Sequence, residues 1–572
     1  GLNLKEPEML NYRLNSSHVK GLSARAPQYN QDGTLVVVTK PSLKEEAYFG
    51  DSYSLELNAA YTQTFAEKHT IDAKAVFTVS ENNGSYFWAS RKDYLSATVD
   101  QLFAGSSIGM QNSGNSDEGG RMGLVGRLKY DFDSRYYIEG SFRYDGSDNF
   151  APGHRWGFFP SVALAWDITE EPFFKNLNLK NVNLLKLRGS YGQTGTESGV
   201  NRFGYLSTYS LAENAICIGG NLQSGFNEGA LVSPELLSWY TRNSLNYGID
   251  VAFFNHRLKG SADYFFYVTK GGLVSPADRY VVPLGTALPQ IKSENEHRRE
   301  GFEASLRWDD KIGSDFYYEV GTNMTYYNNL YVKNQGEALS DLKNPYKRST
   351  HQTDYYGIMY MDNGLYQTPE QVLGVPRRLQ SSATKLGDIA YEDINGDGKI
   401  DGEDQVRWGM PSAPHFTYGF DFVLGYKGFT LSGLLYGTGK RNMEFGVTTK
   451  KNEAIWVLND YQLDYWREDN RDATFPRISL EALPNGSNNQ AASTFWVKNA
   501  SFLRLKNLTL EYDFKYKLLR NVKWLSTCRA NITGANLFTI SNVMDYFDPE
   551  TTSTNGGYPV QRVYSLGVTI GF

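Results

Sequence analysis

Residues 393–404 read Asp-Ile-Asn-Gly-Asp-Gly-Lys-Ile-Asp-Gly-Glu-Asp. Asp393, Asn395 and Asp397 stand at positions 1, 3 and 5 of this run. Gly398 falls at 6, where such a loop turns through positive φ. The Lys399 carbonyl is at 7, Asp401 at 9 and Asp404 at 12. This is the oxygen-ligand spacing of an EF-hand calcium loop, with Asp in place of the usual Glu at position 12. The shorter carboxylate reaches less far, which predicts weaker binding or an intervening water. The plain alternative is an acidic turn that binds nothing, because Asn-Gly and Asp-Gly are turn signals in their own right. No helical pattern flanks the run, so Ca2+ here would be a structural clamp within a loop rather than a switch.

No other constellation suggests chemistry. The seven histidines do not cluster, and HExxH, GxSxG and P-loop patterns are absent, so the chain reads as no enzyme, without a catalytic cofactor. Cys217 and Cys528 lie far apart, outside any CxxC motif, and are expected to be unpaired. The net charge of −6 carries no basic run, which argues against nucleic acid. Loop aromatics (Trp239, Tyr240, Tyr355, Tyr356, Trp456, Tyr461, Tyr465, Trp466) suit stacking on sugars or peptides, or packing of loops on one another, which is the more common role.

The elements that must carry these loops are strands. Mean hydropathy is −0.48, far from the runs of about 20 apolar residues that membrane helices need. Tyr 40, Phe 32 and Gly 55 favour strands and turns. Met122, Leu124, Leu128 and Tyr130 alternate with Arg121, Arg127, Lys129 and Asp131; Tyr136, Ile138, Phe142 and Tyr144 alternate with Glu139, Ser141, Arg143 and Asp145. Leu245 to Phe253 and Leu258 to Phe266 repeat the pattern across a turn at Asn255-His256-Arg257. The chain ends on the same motif: Tyr564, Leu566, Val568, Ile570 and Phe572 face one way, and Ser565, Gly567, Thr569 and Gly571 the other. A terminal aromatic strand of this kind predicts a transmembrane β-barrel, whose outward face meets lipid.

Fifteen strands are predicted, centred near residues 58, 75, 125, 140, 162, 190, 249, 263, 303, 322, 421, 433, 505, 532 and 566. Short connections near 66, 132, 256, 311, 427 and 518 alternate with long loops at 81–119, 196–242, 270–296, 334–415, 439–495 and 541–559. Outer-membrane barrels segregate short periplasmic turns from long extracellular loops in this way. Residues 1–50 read as an extracellular loop or extension, and 51–572 as the barrel. Fifteen antiparallel strands cannot close on themselves, so an odd number more is expected, either one hidden within 30–41 or several on another piece.

Several segments carry a resemblance. They are Ser134–Lys175 (SRYYIEGSFRYDGSDNFAPGHRWGFFPSVALAWDITEEPFFK), Lys186–Gly195 (KLRGSYGQTG), Lys385–Ile389 (KLGDI) and Pro414–Gly437. Asn499–Tyr512 (NASFLRLKNLTLEY), Asn536–Ser541 (NLFTIS) and Phe547–Glu550 (FDPE) complete the set. In order over about 110–572, they resemble the SusC/RagA family of TonB-dependent outer-membrane transporters of Bacteroidota. The resemblance implies a barrel of roughly 22 strands closed by an N-terminal plug. It also implies a SusD-like surface lipoprotein as lid, and TonB acting through the plug to import oligosaccharides or peptides. Tyr564, Leu566, Val568, Ile570 and Phe572 would then be the strand that the assembly machinery reads. No plug, TonB box or signal peptide is recognisable, so plug and first strands are expected on a separate polypeptide. The alternatives are a passive porin and a secreted glycan-binding β-protein that uses the calcium-like loop.

Overall fold

The structure is a computed structural model. It describes the chain apart from residues 1, 4–10, 24–27, 30–34, 38–40, 96–97, 230–236, 275–290, 375–376, 379–383, 445–462, 479–487, 544–546 and 551–559. Trp456 and Tyr461 therefore lie outside the described residues.

The chain is all-β, and each of the fifteen predicted centres falls in a strand. We number these β1 (Ser42–Phe65), β2 (His69–Arg91), β3 (Gln111–Phe132), β4 (Tyr136–Ser147), β5 (Trp156–Asp167), β6 (Val182–Thr196), β7 (Tyr240–Phe253) and β8 (Leu258–Lys270). They continue as β9 (Glu296–Ile312), β10 (Phe316–Lys333), β11 (Phe416–Tyr426), β12 (Phe429–Gly439), β13 (Phe502–Asp513), β14 (Thr527–Ala535) and β15 (Val563–Gly571). The described helices are short, and none is long and apolar enough to cross a membrane.

The chain divides into two compact units. The first comprises residues 1–164, 191–242 and 271–293. Its main ladder runs antiparallel through β1, β2, β3 and β4. Tight turns at Ala66-Glu67 and Asp133-Ser134 join the hairpins, and all four residues take positive φ. That geometry matches the right-handed twist of the strands they connect. Apolar residues line up across the ladder: Leu57 pairs with Phe77, Phe77 with Leu124, and Leu124 with Tyr144.

In this unit β1, β2 and β3 have 24, 23 and 22 residues, about twice the 9–11 needed to cross a bilayer. The excess lies at the end away from the tight turns. There the strand Asn11–Ser23 pairs antiparallel with Ser42–Ser54 of β1. Two expectations are corrected. The additional strand is 11–23 rather than one within 30–41, where Leu35–Val37 forms only a short ladder with Gln28–Tyr29. The loop expected over 81–119 narrows to 92–110, because Ser90 pairs with Gln111 and the ladder continues inward from there. Asn, Ser and Gly fill these strand ends, and pairing through backbone hydrogen bonds leaves no apolar alternation to mark them.

The second unit comprises 165–190, 243–270 and 294–572. Its ladder runs β8, β9, β10, β11, β12, β13, β14 and β15, all antiparallel. An apolar row crosses six of these strands: Tyr318, Leu424, Leu431, Leu510, Ile532 and Leu566 are successive partners. Leu510, Ile532 and Leu566 are exposed. A contiguous exposed apolar band over a sheet is what a lipid-facing surface looks like.

The packed core of this unit is not between strands but among the long connections. Tyr360, Ile389, Tyr391, Ile400, Met443, Phe475, Trp496, Ala500 and Val543 form one buried cluster. Two-stranded ladders stiffen it: Gly357–Met359 with Val406–Trp408, Asp362–Leu365 with Ile389–Tyr391, and Asn442–Glu444 with Val497–Asn499.

Candidate functional site: a charged sheet face and a folded loop assembly

The residues that alternate with the apolar rows form a second face, covered in ion pairs. In the first unit Arg127 pairs with Glu139 at 2.9 Å and with Asp72 at 3.5 Å. In the second, Arg188 spans Asp250 and Asp263 at 2.9 and 2.6 Å. Arg307 pairs with Asp421 at 3.0 Å and also with Glu319. Arg529 lies near Glu511. One face of each sheet is thus fit for hydrocarbon and the other for water and polar solutes.

Two of these pairs depend on glycine. A Cβ built on Gly248 would stand 2.6 Å from Asp263 Oδ1 and 2.7 Å from Arg188 Cζ. One on Gly321, which pairs with both Arg307 and Asp421, would stand 2.6 Å from Asp421 Oδ1. In both cases the missing side chain leaves the gap through which an arginine meets an aspartate.

The loop assembly has its own polar skeleton. Asp388, of the KLGDI run, is buried and meets Arg477 Nε at 2.7 Å, the Asn489 amide at 2.9 Å and the Lys385 N–H at 2.8 Å. Gly387 takes φ +79°, with the Trp466 ring packed against it. Trp466 is therefore a packing residue. Arg504, 3% exposed, donates to Asp548 at 2.7 Å, to Glu550 at 2.5 Å and to Thr539 at 2.8 Å. Lys506 adds a second contact to Glu550 at 2.6 Å. The FLRLKN and FDPE runs, distant in sequence, thus meet as one clamp.

Asp354 accepts hydrogen bonds from Asn329 at 2.6 Å and faces His415 Nε2 at 3.0 Å. Burial alone would raise its pKa, but the His415 and Asn329 contacts outweigh it and hold the carboxyl below the ordinary range. Glu337 behaves alike: burial pushes it up, and bonds from Thr350 and Ser349 bring it below the usual value.

The calcium-like loop is a run of side-chain-to-backbone turns. Asp393 accepts from Gly396 and Gly398 N–H, Asn395 from Asp397, Asp397 from Lys399, and Asp401 from Glu403. Asp404 is fully buried; one oxygen takes Ile394 and Asn395 N–H, and the other takes Asp401 N–H. Asp401 and Asp404 form a capping box around the short helix Gly402–Asp404. Among the described residues no three His, Cys, Asp or Glu groups are grouped to hold a metal ion.

On the terminal strand, Tyr564, Leu566, Val568, Ile570 and Phe572 are 52 to 84% exposed, and Phe572 stacks on Trp524 at 5.7 Å. Cys217 and Cys528 are both free. Sequence reasoning missed a cavity of about 720 Å³ in the first unit, where Arg121, Arg143 and Trp239 meet the 195–200 segment. Its residues come from four strands and two loops, and no local pattern joins them.

Comparisons with known proteins agree with this geometry. A family model described as TonB dependent receptor-like, beta-barrel, matches residues 8–537. The chain is 28% identical over 465 residues to the TonB-dependent receptor SusC of Bacteroides thetaiotaomicron, covering 78% of this chain and 43% of that protein. It is 26% identical over 521 residues to TonB-dependent receptor P3 of Formosa agariphila, covering 86% and 49%. The chain therefore spans about half the length of the curated relatives it matches. Among solved structures, the RagAB peptide importer in its open-open state superposes with a TM-score of 0.76 at 21% identity, covering 98% of this chain and 59% of that one.

Proposed function

The chain belongs to the TonB-dependent receptor-like β-barrel family, and from that premise we propose that it is the barrel part of a SusC-like importer in the bacterial outer membrane. The family is one of transporters and receptors rather than enzymes. The observation that carries the reading is the presence of two opposed faces on the antiparallel strands of the second unit. Leu431, Leu510, Ile532 and Leu566 are successive partners on one face. Arg188, Arg307 and Arg529 bind carboxylates on the other. A soluble sheet would cover its apolar row; a membrane barrel presents it to lipid and keeps charge for the pore.

In this proposal the tight turns face the periplasm, and the long ends of β1–β3 and the loop assembly face outside the cell. A SusD-like lipoprotein caps the loops, and oligosaccharides or peptides enter when TonB acts on a plug. The likeness to SusC and to the RagAB peptide importer supports this assignment. Fractionation of native membranes, followed by pull-down through this chain, tests it. Recovery in the outer membrane together with a surface lipoprotein is the expected result; a soluble, partner-free chain would overturn it.

A subsidiary proposal concerns the acidic loop. Asp393, Asn395, Asp397, Asp401 and the Lys399 carbonyl supply oxygens suited to Ca2+, while Asp404 stays as the turn's buried cap. Calorimetric titration of chelator-treated protein with CaCl2 should show one site that Asp397→Ala removes.

A further inference from the structure

We propose that the 720 Å³ cavity of the first unit is a subsite for a carboxylate-bearing sugar, a uronate-type residue of an acidic oligosaccharide. The inference rests on the importer reading and names its substrate class.

The cavity's acceptors are already engaged. Both oxygens of Asp145 take N–H groups of Arg143, at 2.9 Å each. Glu197 ion-pairs with Arg121 and accepts the Asn149 amide at 3.0 Å. The donors are not used up. Arg121 and Arg143 side chains are 66% and 57% exposed, and each guanidinium carries five N–H groups. Arg143 spends two on Asp145. Thr78, Ser80, Thr196 and Ser198 add hydroxyls to the same lining.

A site with spare donors and occupied carboxylates selects ligands rich in acceptor oxygen, above all a planar carboxylate that a guanidinium grips with two N–H groups. The volume is many times the roughly 30 Å³ of a water molecule and falls within the range of organic ligand sites, so a bare ion does not fill it. Sugar fits better than peptide. In the wall beside the arginines, the hydroxyls of Thr78, Ser80, Thr196 and Ser198 and the backbones of Gly123, Gly146, Gly195 and Gly199 outnumber the apolar Met122 and Val200. Trp239 supplies one aromatic wall, held by Phe150 at 5.3 Å, by Phe159 at 5.5 Å and by its indole N–H bond to the Arg155 carbonyl.

The test uses the full-length transporter, purified with its lipoprotein partner in detergent. Trigalacturonate, a neutral galactose trisaccharide and an acidic tripeptide are titrated at low salt by calorimetry. Trigalacturonate should bind and the other two should not at the same concentration. Arg143→Gln should weaken it at least ten-fold. Ser198→Ala, which leaves both ion pairs intact, should weaken it several-fold. Peptide binding without uronate binding, absence of uronate binding, or uronate binding indifferent to both variants would each overturn the subsite. Uptake of another oligomer that survives Arg143→Gln overturns the subsite and leaves the importer standing. Failure of the unsubstituted protein to insert in the outer membrane removes both.

Discussion

Arg188 on β6 reaches Asp263 on β8 at 2.6 Å across the bare backbone of Gly248. The same arrangement recurs where Arg307 meets Asp421 across Gly321. In each case the ion pair crosses a third strand, which leaves a gap at its glycine and adds a carboxylate of its own, Asp250 or Glu319. Gly248→Val should therefore break the Arg188–Asp263 contact and lower stability by about 1–3 kcal/mol, the usual range for overpacking. The heat needed to shift the folded band on a denaturing gel measures this. Combining Gly248→Val with Arg188→Ala should cost less than the sum of the two, because both remove one interaction.

The apolar row and the charged row make opposite demands on the same strands. Leu510→Arg should cost about 2–4 kcal/mol if that position sits near the membrane midplane. Thr509→Arg, one residue away on the other face, should cost little. Urea titration of barrels refolded in lipid vesicles distinguishes the two; equal costs would contradict the assignment of faces.

Asp388 is buried, and Arg477, Asn489 and the Lys385 N–H satisfy it. Asp388→Leu leaves Arg477 without its carboxylate, a loss of about 3–5 kcal/mol for a broken buried pair. That energy belongs to the loop assembly, not to the strands. Limited proteolysis should cut within 334–415 and 463–500 while the band shift on heating stays unchanged.

The Asp354 carboxyl is held below its ordinary pKa of 3.8. A group depressed in the folded state contributes stability above its unfolded pKa and loses it as pH falls through the folded value. Protease resistance of the loops should therefore persist at pH 5 and weaken below about 3.8. Asp354→Asn should remove that acid step. His415, 3% exposed and facing Asp354, should keep its place in the wild type until the carboxylate is protonated.

Much of this was legible residue by residue. Leu57 and Tyr144 stand between polar neighbours, and alternation of that kind located the strand centres. The polar ends of β2 and β3 were not legible, since Ser-Glu-Asn-Asn-Gly and Gln-Asn-Ser-Gly-Asn carry turn residues while their backbones pair in register. The calcium-like spacing was plain. That Asp404 would be a buried cap, with both its oxygens bound to backbone N–H groups, was not.

The sequence alone determined the fifteen strand centres, their two faces and the tight turns, because period-two alternation and turn chemistry are local; the pairing of Asn11–Ser23 and of the polar strand ends came only with the fold. Tertiary structure alone decided which polar residues meet. Asp388 finds Asn489, Arg504 finds Asp548 and Glu550, and Arg121 finds Glu197. Such partners sit tens of residues or more apart on loops of unlike length. A single buried hydrogen bond leaves no periodic trace in either segment, so only the packed chain brings them together.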